Sequence, residues 1–176
     1  MNFGPFESKL ISIAKKNIGA PSNYLAPFPQ ADSVQKILEL SCLVANSPTT
    51  PSLVTIKFDF SERQAAYYLS ALKYLGLAIK DPQSRGGWIS TPLSKKIASL
   101  PGESQSILLA ELILSTDSCA KSFLHCVANR GISYDEAIAI FNGSTDSYDC
   151  TGETVRRRAK TVHSWVTWVF ETFCTK

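Results

Sequence analysis

Helix-start signals recur along this chain and constrain its fold more than any other feature. Asp32, with Gln35 three residues on, stands before "VQKILELSCLVAN". Thr50–Pro51 opens "SLVTIKFDF", Ser61-x-x-Gln64 opens "AAYYLSALKYL", which Gly76 ends, Thr91–Pro92 opens "LSKKIASL" and Ser133-x-x-Glu136 opens "AIAIFNG". A hydroxyl or carboxylate followed by Glu or Gln three residues later satisfies two orphan backbone donors, and proline suits the first helical position. The β-branched "VTI" at 54–56 favours strand instead, but the helices around it favour a short helix there. Only "GLAIKDPQSRGGWIST" reads as strand, with Leu77–Lys80 and Trp88–Ser90 flanking a polar, Gly-rich tip. The expected fold class is therefore mainly α, with one small β-wing.

The order of these elements suggests the architecture. Residues 31–100 run helix, helix, helix, two-stranded hairpin, which is the order of a winged helix, a helix-turn-helix backed by a β-wing. Residues 101–176 offer helices at "ESQSILLAELILST", "CAKSFLHCVANRG" and "SYDEAIAIFNG", then a long basic helix. That is helix-turn-helix order again, a degenerate winged helix whose wing is missing. Ahead of both, residues 1–30 read as an amphipathic helix ("FESKLISIAKKNIG") and a proline-rich arm ("APSNYLAPFPQ"). The expectation is a tandem of winged-helix and helix-turn-helix modules.

Charge is distributed unevenly. The 18 Lys and Arg exceed the 15 Asp and Glu by three, and residues 1–150 hold 13 of each. The excess sits in "TGETVRRRAKTVHSWVTWVFE" and the residues after it. A local basic patch on a neutral protein suggests a docking surface. On a helix at about 100° per residue, Val155, Ala159, Val162, Val166, Val169 and Phe173 form a core stripe. Arg157, Lys160 and Ser164 lie opposite, Thr161 and Trp168 lie at the edge, and Arg156 is beside them. Arg, Lys, Ser and Thr are phosphate-binding residues, and arginine also reads guanine. Trp165 borders the core stripe and is expected to pack. In the first module Arg63, Tyr67, Ser70 and Tyr74 share the face opposite Ala65, Leu69 and Leu72. Lys80, Gln83 and Arg85 sit on the hairpin. The candidate DNA-contacting set is Arg63, Tyr67, Ser70, Arg85, Arg156, Arg157, Lys160, Thr161 and Ser164.

Other chemistries find little support. No phosphate-binding G-x-x-x-x-G-K-[ST] or G-x-G-x-x-G occurs. Cys119, His125 and Cys126 have metal-ligating side chains, but no C-x-x-C pair or obvious fourth ligand accompanies them. "ESK" at Glu7–Lys9 lacks the aspartate and strand context of a nuclease. We expect no catalytic residues, no metal and no cofactor. No apolar run reaches the ~18–20 residues of a membrane span, and the N-terminus lacks a signal peptide's order. Five scattered cysteines suit reduced thiols. A cytoplasmic protein without membrane association is expected.

Two segments carry a family resemblance. "RQAAYYLSALKYLGL" gives Arg63, Gln64, Tyr67, Tyr68, Tyr74, Leu75, Gly76 and Leu77. "TVRRRAKTVHSWVTW" gives Thr154, Arg157, Arg158, Ala159, Thr161, Val162, Ser164, Trp165 and Trp168. With "PFPQADSVQKILEL" and "STPLSKKIASL", they make residues 28–171 resemble the tandem winged-helix region of restriction–modification and phage-defence proteins, sometimes fused to an endonuclease or AAA+ part. The resemblance implies double-stranded DNA binding, with any cleavage supplied by a nuclease partner or other effector. A protein-interaction adaptor and a stand-alone transcriptional regulator are the alternatives.

Overall fold

The computed structural model describes residues 5–22, 26–148 and 150–175. The chain divides into two compact units, Leu25–Leu109 and a second that joins Met1–Tyr24 to Ala110–Lys176. It is mainly helical with one small two-stranded antiparallel sheet. The expected divisions at 30 and 100 differ from this. The N-terminal helix belongs with the C-terminal helices, and the later boundary falls at 109. The middle of the proline-rich arm, 23–25, lies outside the described residues.

In the unit Leu25–Leu109, α2 (Val34–Asn46) buries Val34, Ile37, Leu40, Ser41 and Val44 at helical spacing. Its N-cap is Ser33, whose side chain accepts from the Lys36 amide. Asp32, the expected cap, instead accepts from the Tyr68 hydroxyl at 3.3 Å. The ambiguous segment is helical as α3 (Pro51–Phe58), capped by Thr50 with proline in the first turn. The β-branched side chains cost a helix only tenths of a kcal/mol each, less than a good cap returns.

A three-residue turn, Asp59, Phe60 and Ser61, leads into α4 (Glu62–Tyr74). Asp59 takes φ 52°, a left-handed conformation that a short polar side chain tolerates. Phe60 is buried and stacked on Tyr68 at 4.7 Å. Ser61 and Gln64 form the reciprocal cap. Gly76, at φ 71°, turns the chain out of α4.

The hairpin pairs β1 (Ala78–Lys80) with β2 (Trp88–Ser90) in the register Ala78 to Ser90 and Lys80 to Trp88. Thr49 exchanges both backbone hydrogen bonds with Trp88, at 2.9 and 2.8 Å, and so adds a third edge to the sheet. Helix α5 (Pro92–Ser99), capped by Thr91, packs on α2. The boundary at 109 falls within α6 (Gly102–Ile113).

In the other unit, α1 (Pro5–Asn17) buries Leu10 and Ala14 and packs on α7 (Asp117–Asn129). Lys9 pairs with Glu111 at 2.5 Å. Asp117 is fully buried and accepts from the Gly19 amide at 2.6 Å, the Thr145 amide at 2.9 Å and Lys121 Nζ at 2.8 Å. Thr145 donates to the Ala20 carbonyl at 2.6 Å. These bonds tie the segment after α1 to its unit. The reciprocal cap of Ser133 and Glu136 starts α8 (Tyr134–Asn142). A ten-residue connection, 143–152, with a 3-10 turn at Thr145–Ser147, then leads to α9 (Glu153–Phe173). That is longer than the three or four residues of a helix-turn-helix turn. Among the described residues this unit has no hairpin.

Candidate nucleic-acid interface

Helix α9 displays its basic residues in the first two turns. Arg156, Arg157 and Lys160 are exposed and Ser164 is half-buried. Arg157 Nε lies 3.3 Å from Glu153 Oε1, an exposed pair one turn apart that water and salt weaken. The Arg156 carbonyl accepts from the Tyr134 hydroxyl at 2.8 Å, which fixes this turn against α8 while the guanidinium stays outside. Arg158 has another role. It is half-buried and lays its guanidinium against the Cys150 sulfur.

Three placements on the helical wheel need correction. Thr161 is only 1% exposed, because both α7 and α8 pack on α9 and the buried arc widens to include it. It leaves the candidate set. Phe173, expected at the end of the core stripe, is half-buried, and Phe170 is buried instead. Trp165 is fully buried, as its place beside the stripe suggested, whereas Trp168 is half-exposed and meets Phe173 edge-on at 6.0 Å.

On α4, Arg63 is exposed and Tyr67 half-buried. Arg63 Nε donates to the Tyr67 hydroxyl at 2.6 Å, and the guanidinium lies 5.4 Å from the ring centroid. This contact holds the arginine at the helix surface. Ser70, half-buried, lies one turn further along. Tyr74 was expected on the same outer face but is buried and packs edge-on against Phe28 at 5.1 Å. Lys73, which sequence reasoning passed over, is exposed instead. Ala66, Ser70 and Lys73 are spaced four and three apart and share a face. That spacing is the signal the sequence carries for Lys73. On the hairpin Gln83 and Arg85 are exposed, and Lys80 Nζ stands 4.2 Å from the Trp88 ring centroid.

The buried sulfurs offer no reactive group. Desolvation pushes the Cys119 thiol up to about 12 and the Cys126 thiol up to about 11. Among the described residues no cluster of three His, Cys, Asp or Glu side chains could hold a metal. Nor is any helix among them long and apolar enough to cross a membrane.

Residues 36–173 match the family described as Domain of unknown function (DUF7226). The chain belongs to that family. The DUF7226 match takes in α4, the hairpin and α9. No curated protein and no solved structure matches the chain.

Proposed function

We propose that the unit Leu25–Leu109 is a winged helix and that the protein is a non-catalytic binder of double-stranded DNA. The observation that carries this reading is the geometry around α4. A three-residue turn with a left-handed residue joins α3 to α4, and a hairpin with a third edge at Thr49 follows. Helix, strand edge, helix, short turn, helix and hairpin is the winged-helix order. In such units the second helix of the turn reads the major groove. Here that helix is α4, with Arg63, Tyr67 and Ser70 on its outer side and Arg85 on the wing. Arg156, Arg157, Lys160 and Ser164 on α9 form a second phosphate-binding face. The long connection before α9 favours backbone contact over base reading for it.

The two signature segments support a role as the recognition element of a restriction–modification or phage-defence system, with cleavage left to a nuclease partner. One observation favours a second reading, that of a protein-docking adaptor. Leu53 and Ile56, one turn apart on α3, are 53% and 79% exposed.

Fluorescence anisotropy with a labelled duplex tests the DNA reading. Arg157→Ala combined with Lys160→Ala removes two phosphate contacts and should weaken binding about tenfold, with a salt slope shallower by about 2. The melting temperature should not move, because both side chains are exposed. Arg63→Ala should weaken binding to a similar degree. Unchanged affinity in both variants would sink the DNA reading.

A further inference from the structure

A cavity of about 270 Å³ opens on the unit Leu25–Leu109, beside α4 and the hairpin. Pro51 and Leu69 contribute to its apolar wall. Its polar side chains are Ser70, Lys73, Lys80 and Trp88, and no carboxylate lines it. All four can donate a hydrogen bond, and two are formal cations. The Lys73 ammonium has no hydrogen-bond or ion-pair partner among the described residues. A cationic lining rich in donors and without a carboxylate is complementary to an anion.

Trp88 supplies a second, independent observation. It is 5% exposed, and its indole Nε1 is buried with no hydrogen-bond partner. Buried donors are almost always paired, and an orphaned one is costly. The Lys80 ammonium stands over this same ring at 4.2 Å. An anion bound among these donors would supply the acceptor that the indole N–H lacks.

We propose that this cavity binds a small organic anion, a phosphate or carboxylate head on a compact apolar body. Lys73, Lys80 and Ser70 hold the head together with the Trp88 N–H, and Pro51 and Leu69 receive the body. The volume is just below the range of typical drug-sized sites, so a single ring with its anionic head fits it. The same head chemistry exists in a free small molecule and in a nucleic-acid backbone. The apolar wall beside the cations favours a free molecule that carries an apolar body. This site shares Ser70 with the proposed DNA face, and its test uses no DNA to detect the small anion.

The test is an NMR titration of the full chain with phenyl phosphate, read on the tryptophan indole N–H resonances. Trp88→Phe assigns the relevant peak among the three tryptophans. The expected result is a saturable shift of the Trp88 resonance, absent with benzyl alcohol. Lys73→Met and Lys80→Met should each weaken it about tenfold, by removing a charge-assisted hydrogen bond. Both lysines are exposed, so these variants keep the fold. The proposal is overturned if phenyl phosphate leaves the Trp88 peak in place, or if the lysine variants bind as the parent does. It is equally overturned if only a short duplex moves the peak, which would assign the cleft to backbone phosphate.

Discussion

Trp165→Ala is expected to lower the unfolding free energy by about 3–5 kcal/mol. The indole is fully buried in α9, between Val162 and Val169 on a helix that packs against both α7 and α8. Truncation leaves a void in a helix that packed neighbours surround, so the cavity adds to the lost transfer energy. Trp168→Ala makes the internal comparison. That ring is half-exposed and has an edge contact with Phe173, so its loss should cost clearly less. Denaturant midpoints of the two variants check the difference. A parental midpoint for Trp165→Ala would contradict the buried placement.

The second large effect is expected at Asp117, through both mutation and acid. Asp117→Ala removes the acceptor of two backbone amides, Gly19 and Thr145, and the partner of Lys121. Lys121 retains some access to water and can turn outward, but the amides are part-buried and lose their bonds. The cost should be about 2–4 kcal/mol. Burial alone would raise the Asp117 pKa. The hydrogen bonds from Lys121, Gly19 and Thr145, with the Lys121 charge, outweigh it and hold the carboxyl below its ordinary value of 3.8. The folded state therefore releases this proton more readily than the unfolded chain does. Its stabilisation is complete above the unfolded value and fades as the pH falls through the folded one. Stability measured from pH 6 downward should decline below about pH 4, and Asp117→Ala should flatten part of that decline. A variant with the parental acid profile would contradict this assignment.

These two sites also mark how far the sequence alone reaches. Caps are local, so Thr50, Ser61, Thr91 and Ser133 announced their helices within four residues. The Gly76 exit was legible for the same reason, whereas the end of α3 at Phe58 was not marked. What a helix packs against is not local. A helical wheel gives the direction of Thr161 but not the width of the buried arc, which two neighbouring helices set. The same limit hid the burial of Tyr74 and the exposure of Lys73. The placement of α1 was least legible. Its bonds run from Gly19 to Asp117, 98 residues away, and from Ala20 to Thr145, 125 residues away, and no pattern near the N-terminus announces such partners. Arg63, Tyr67, Ser70, Arg85, Arg156, Arg157, Lys160 and Ser164 all retain some exposure, because polar side chains on a well-capped helix or hairpin tip rarely find full burial.

Duplex binding as a function of salt tests the proposed function most directly. In anisotropy titrations of the full chain, log affinity should fall linearly with log salt. The slope should be about −0.9 for each phosphate contacted, and about −3 to −5 in total for the exposed arginines and lysine of α4, the hairpin and α9. No binding to duplex at low salt, or an affinity indifferent to salt, would contradict DNA recognition and leave the apolar face of α3 as the functional surface.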